Sequence, residues 1–179
     1  MIHYKYTDAE ITAILKTLTI VIDTREQVND HILSYLRRQE IQFVNRAIKT
    51  GDYAAMIPKN EKLGISRDMW LTSRIERKAH IDEITGNLQK DTKTAFENEL
   101  IRAKDIPFTL LCEDPDGYGK MIRGEYRSQY KPLSLLGTIN SFKYRYNFEI
   151  VYLDKKYSGN FIYYHFYYQA RDLLKNGVF

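Results

Sequence analysis

The sequence predicts a single α/β domain whose strands form a mixed sheet flanked by helices. Short β-branched, apolar stretches such as residues 18–23 and 107–112 alternate with longer stretches whose apolar residues recur three and four apart. Polar and acidic residues gather just after or on strands, where α/β folds usually place a site. A chain of 179 residues is also long enough for one sizeable core.

Taken in order, Thr7 stands as an N-cap with Glu10 three residues on, and Ile11, Ile14 and Leu15 follow at helical spacing. This makes residues 1–17 a helical extension ahead of a core over about 19–176. Residues 18–23 read as a buried strand ending on Asp23-Thr24-Arg25-Glu26. The plain reading of that end is that Asp23 pairs with Arg25 or caps the next helix. A helix covers 29–39, on the spacing of His31, Ile32, Tyr35 and Leu36. Strands follow over 41–48 and 52–57. Gly51 between them marks a bend or close backbone approach that sets where Asp52 points. After a polar loop over 58–68, a strand resumes at Met69 or Trp70 and continues through Lys78. Antiparallel pairing of these two strands brings Asp52 near Glu76.

Ile81, Ile84 and Leu88 give a short helix from His80, interrupted or bent at Gly86. A second helix runs from Asp91 or Thr92 to Lys104, with Phe96, Leu100 and Ala103 as its buried stripe. Residues 107–112 are apolar enough for a central strand, with Cys112 an inert core thiol. Residues 113–119 are turn-rich. Gly117-Tyr118-Gly119 has no third glycine at the required spacing and no Gly-Lys-Ser/Thr, which excludes a dinucleotide fingerprint and a P-loop. Lys120, Arg123, Arg127 and Lys131, interleaved with Tyr126 and Tyr130, suit nucleic-acid phosphates with stacking groups nearby, and equally suit a solvated loop. Pro132 opens a helix reaching Tyr144 or Tyr146, a strand covers 148–153, and a last helix from Ser158 or Gly159 closes at Asn176-Gly177. Aromatic residues from Phe142 to Tyr168 are too many for one buried face. The surplus predicts a partner surface, most simply a homodimer through this C-terminal region.

Composition narrows the class. Hydrophobic residues are 44% and charged residues 28%, as in ordinary soluble proteins. No apolar run is long enough to span a bilayer and no signal peptide is evident, so the expected setting is intracellular and cytoplasmic, away from membranes. One cysteine rules out an internal disulfide and a cysteine-rich zinc module. A net charge of +4 is mildly basic and permits a polyanionic partner.

The stretch Arg74-Ile75-Glu76-Arg77-Lys78-Ala79-His80-Ile81-Asp82 carries the chemistry. Alternation along a strand puts Glu76 and Lys78 on one face and Ile75 and Arg77 on the other. Magnesium takes oxygen ligands and keeps several waters, so Asp52, Glu76 and the backbone carbonyl of Arg77 would suffice to hold it; manganese is expected to substitute. Lys78 would orient or activate the attacking water or meet charge on a phosphate. Asp23, Glu26 and Asp82 are further candidates, as ligands or as partners that hold Arg25, Arg77 and Lys78.

The order of these motifs resembles the XPF (XPF/Hef-type) family of structure-specific DNA endonucleases, within the PD-(D/E)XK nuclease group. Val21-Ile22-Asp23-Thr24-Arg25-Glu26 is similar to the family's opening strand with its Asp-x-Arg-Glu, Gly51-Asp52 to its Gly-Asp, and Glu76-Arg77-Lys78 with Asp82 to its Glu-Arg-Lys-x-x-x-Asp. Phe96-Glu97-Asn98-Glu99-Leu100 is similar to the helix that follows. The resemblance implies a restriction-endonuclease-like fold, metal-dependent cleavage of branched DNA such as flaps, forks or 3′-flap-like junctions, a role in DNA repair or recombination, and a dimer. Its catalytic set is Asp23, Asp52, Glu76, Arg77, Lys78 and Asp82. Family members usually add a helix-hairpin-helix module. None is expected here, so Arg25, Lys120, Arg123, Arg127 and Lys131, or a partner protein, would have to grip DNA. The size suggests a bacterial or phage-encoded chain. Competing readings are a Holliday-junction resolvase, a nuclease of weak structure preference, and an idle binding module on a nuclease fold.

Overall fold

The computed structural model describes residues 5–89 and 91–177. In chain order the elements are α1 (Asp8–Leu15), β1 (Thr19–Ile22), α2 (Asp30–Arg38), β2 (Gln42–Asn45), β3 (Tyr53–Ile57), β4 (Met69–Trp70), β5 (Arg74–Lys78), α3 (Ile81–Asn87), α4 (Lys93–Ala103), β6 (Phe108–Cys112), α5 (Gly117–Arg123), α6 (Pro132–Tyr146), β7 (Phe148–Tyr152) and α7 (Ser158–Asn176). The fold is mixed α/β with strands of both senses, as the sequence predicts. The chain divides into two compact units. One is drawn from the chain up to Ile48, from Tyr53–Thr72 and from Gly159 onward; the other comprises Lys49–Asp52 and Ser73–Ser158.

In the first unit the capping box of α1 forms as expected. The Thr7 amide donates to Glu10 Oε2 at 2.7 Å and the Glu10 amide to Thr7 Oγ1 at 3.3 Å. β1 pairs in parallel with β2 and antiparallel with β3, and β4 pairs antiparallel with β3. Ile20, Val21 and Ile22 are buried in this arrangement. β2 is largely exposed and shorter than predicted: the Arg46 amide still bonds β1 at Ile22 O, 2.9 Å away, but the Ile48 amide has turned to the Asp23 carboxylate at 2.9 Å. On α7, Ile162, Phe166, Ala170 and Leu174 recur every four residues and are fully buried. Burial of each of the three larger side chains contributes roughly 1.5–3 kcal/mol. The helix comes close to α2 at Gly159, where a Cβ would meet Tyr35 Cβ at 2.6 Å.

The second unit is built on three parallel strands, β5-β6-β7. Every residue of β6 is buried, which suits a central strand covered on both faces. Phe108, Leu110 and Cys112 point to one face and join Phe96, Leu100, Ile139 and Phe142 in a core beneath the helices. The Cys112 thiol is fully buried, and burial pushes its pKa up to about 12.

Two stretches differ from expectation. The strand predicted from residue 69 or 70 through 78 is two strands. β4 belongs to β3, and the Leu71 amide still donates to Ala55 O at 3.0 Å. By Arg74 the amide has turned to Pro107 O at 2.9 Å, and β5 pairs with β6. Residues 117–123, predicted as turn and loop, form α5. Glycine is a poor helix former, which invites the turn reading. Here Gly117 is needed for packing, since a Cβ there would stand 2.6 Å from the Tyr152 ring.

Candidate active site

Gly51 starts the site. Its φ is +77°, and a Cβ would lie 3.0 Å from Ile75 O and 3.2 Å from Arg74 Cβ. Only glycine takes this conformation at this distance without strain. The turn delivers Asp52 against β5 through two bonds. The Asp52 amide donates to Ile75 O at 2.8 Å, and the Arg77 amide donates to Asp52 Oδ2 at 2.8 Å. The carboxylate is therefore fixed beside the Glu76-Arg77-Lys78 stretch by backbone geometry.

The alternation of β5 does what the sequence requires. Glu76 and Lys78 lie opposite Leu110 and Cys112 of β6, so they share the face that α3 and α4 cover. Lys78 Nζ donates to Glu76 Oε1 at 2.6 Å, with side chains only 12% and 11% exposed. In the orientation that satisfies its amide, the Asn87 oxygen accepts from Lys78 Nζ at 3.3 Å, while its nitrogen donates to Glu83 O at 3.0 Å. Burial works to lower the Lys78 pKa. The charge and hydrogen bond of Glu76, helped by the charges of Asp52 and Glu99, outweigh it and hold the ammonium above its ordinary value.

Glu99 of α4 was not singled out by the sequence reading. Burial and the negative charge of Glu76 raise its pKa, against Lys78, a hydrogen bond with the Gly51 backbone and Arg102. The signal was present: Glu99 stands three residues after Phe96 and four before Ala103, so a carboxylate interrupts the buried side of α4. Glu113 was also missed. It follows β6, and its Oε2 accepts from Arg77 Nη1 at 2.8 Å, with side chains 2% and 8% exposed. The Arg77 guanidinium thus braces the opposite face of β5 while its amide holds Asp52.

The other candidates are placed as follows. Asp82, in the first turn of α3, accepts from the Arg127 amide at 2.7 Å and lies 3.6 Å from Arg127 Nε. Asp23, in the first unit, is buried. Its oxygens accept from the Arg25 amide and guanidinium and from the Ile48 amide, at 2.8–3.1 Å. The Arg25 hydrogen bond leads in lowering its pKa to about 2, against burial and with the Ile48 amide. Glu26 is half-buried, and its amide closes a turn onto Asp23 O at 3.0 Å. Lys120 is tied to Asp114 at 2.9 Å, and Arg123 to Asp116 and Glu125 at 2.6 and 2.7 Å. Lys131 is exposed.

Among the described residues no group of three His, Cys, Asp or Glu side chains stands ready to hold a metal. Two carboxylates that carry oxygen donors only, one fixed by a backbone amide and one beside an ammonium, fit a hard cation that retains most of its water.

A model of the ERCC4 domain matches residues 22–165. No curated protein matches the chain. Among solved structures the chain is similar to XPF from Aeropyrum pernix, with a TM-score of 0.60 and 16% identity over 87% of this chain. It is also similar to XPF from Aeropyrum pernix in complex with DNA, with a TM-score of 0.57 and 17% identity over 88% of this chain. In both cases it spans 66% of the other chain's length.

Proposed function

The chain belongs to the ERCC4 domain family, and from that premise we propose that it is a metal-dependent endonuclease that hydrolyses phosphodiester bonds in branched DNA. The observation that carries the reading is the site on β5: Asp52 held by the Arg77 amide beside the buried Glu76–Lys78 pair. The fold shared with an XPF structure that holds DNA supports DNA as the substrate class.

In this reading Asp52, Glu76 and the Arg77 carbonyl would hold a magnesium ion, with manganese as a substitute. The ion would polarise the phosphate and make bound water more acidic. The protein contributes positioning. The Arg77 amide keeps Asp52 in one orientation. Lys78, held above its ordinary pKa, stays cationic near neutral pH and meets charge developing on the phosphate or orients the attacking water. Burial and the neighbouring Glu76 charge push the Glu99 pKa up, and a cation bound beside Glu76 would offset that crowding. We also propose that α7 pairs with a second copy of the chain. Tyr164 and Tyr168, 42% and 60% exposed, stack on each other at 5.9 Å on the side away from its buried stripe.

The test is cleavage of labelled flap, fork, four-way-junction and plain duplex DNA in magnesium, manganese or EDTA, with Asp52→Asn and Lys78→Ala beside the wild type. Metal-dependent cutting lost in both variants is the expected result. Preference for the four-way junction would instead favour a resolvase. No cutting of any substrate, with DNA binding unchanged in both variants, would leave a binding module.

A further inference from the structure

Two polar clefts in the second unit meet at one residue. The first, about 410 Å³, lies between α4 and α6 and includes Lys93 and Arg145. The second, about 540 Å³, lies beside the segment leading into α6 and includes Arg127 and Lys131. Both are lined by Ser134, an exposed residue in the first turn of α6. Among the described residues that line them, cations outnumber acids four to one, the acid being Glu97.

Two of these cations, Lys93 and Lys131, differ from the other basic residues nearby, while Arg127 lies 3.6 Å from Asp82 and Arg145 3.0 Å from Glu97. Lys120 and Arg123 are bracketed by Asp114, Asp116 and Glu125, so their charge is already met. Lys93 and Lys131 have no acid partner among the described residues. Lys93 instead lies 5.5 Å over the Phe142 ring, which also receives Arg145 at 5.8 Å. Glu97 is shared between Arg145 and the hydroxyl of Tyr146, and Arg145 remains 58% exposed. Hydroxyls of Ser128, Thr138 and Ser141 line the same clefts. Phe142, the ring that Lys93 and Arg145 share, is 4% exposed and covered, and Tyr130, the ring that lines the second cleft, is half-buried against the core with its hydroxyl 3.3 Å from Thr138 Oγ1. Ammonium, guanidinium and hydroxyl donors suit phosphate oxygens, which carry no sequence information.

The second cleft also has a defined end. Arg127 is bound through its amide to Asp82, four residues beyond Lys78 in the chain. The segment that carries Arg127 and Lys131 is thereby tethered to the start of α3, directly after the strand that bears the site.

We propose that these two clefts form one track for the phosphodiester backbone of a DNA strand, with Lys93, Arg127, Lys131 and Arg145 as its cations. The proposal rests on the nuclease reading for its substrate. It names the surface that holds the strand away from the bond being cut. Contact with backbone alone makes the grip independent of sequence, and its strength falls steeply with salt.

The experiment measures binding of a labelled fork in EDTA by fluorescence anisotropy across a salt series, for the wild type, Lys93→Ala/Lys131→Ala and Lys104→Ala. Lys104 carries the same charge outside the clefts, and thermal melts check that each variant folds. Loss of two phosphate contacts should lower the slope of log affinity against log salt by about 2. Lys104→Ala should keep the wild-type slope. Cleavage by the wild type in magnesium is recorded alongside. A reduced slope in the double variant, whether or not the wild type cuts, supports the track and separates it from the nuclease reading. A cutting wild type with equal slopes in both variants overturns the track alone. A wild type that neither cuts nor binds overturns both.

Discussion

Asp52 and Arg77, 25 residues apart, are joined through a backbone amide at 2.8 Å. The geometry predicts that Asp52→Asn separates chemistry from stability. The asparagine oxygen can still accept from the Arg77 amide, so unfolding stability should stay within about 1 kcal/mol of wild type. Cleavage should fall by about 10²-fold or more, and the thermal shift produced by magnesium should shrink, because the carboxylate charge is gone. Urea unfolding, melting curves with and without magnesium, and single-turnover cleavage check this.

Gly51→Ala predicts the opposite pairing of effects. It removes no candidate catalytic group. It places a Cβ 3.0 Å from Ile75 O at a φ of +77°. The strain should cost about 1–3 kcal/mol, and the displaced turn should carry Asp52 away from the Arg77 amide. Destabilisation together with reduced cleavage is the expected outcome. A variant of wild-type stability and activity would show that the turn does not position the site.

Asp23 gives a pH prediction. Its folded pKa, about 2, lies below the ordinary value of 3.8. The stability it contributes is therefore fully present above about pH 4 and is lost as pH falls through 2. Its partner Arg25 is 72% exposed, so solvent screening keeps the contribution to about 1–2 kcal/mol. Urea midpoints measured from neutral to acid pH should fall less steeply for Asp23→Asn than for the wild type across that window.

The tyrosines of α7 predict an assembly. The wild type should sediment as a dimer at micromolar concentration, and Tyr164→Ser/Tyr168→Ser as a monomer with an unchanged melting curve measured below the dissociation concentration. A wild type that is monomeric with and without DNA would falsify the pairing.

Local order made much of this legible in advance. Thr7 and Glu10 announce their helix because a capping box is a contact between neighbours, and β6 announces itself because a central strand is apolar throughout. The spacing of Glu76 and Lys78 places them on one face for the same local reason. What stayed hidden depends on distant partners. The break between β4 and β5 is decided by Pro107 and Ala55, each many residues away. Gly117 is helical because Tyr152 needs the room its missing side chain leaves. Glu99 and Glu113 enter the site's surroundings through tertiary approach to Glu76 and Arg77, which no spacing in their own segments specifies.

The isolation of Cys112 has a practical side. A fully buried thiol with a pKa near 12 is almost never a thiolate at neutral pH, so alkylating reagents and maleimide dyes should pass it by. Any cysteine introduced on the surface would then be the sole reactive thiol in the molecule. A dye or spin label placed at exposed Leu133, beside the proposed track, or at exposed Arg171 on α7 would report DNA approach or chain pairing while leaving the proposed contact residues native, with no background to remove first.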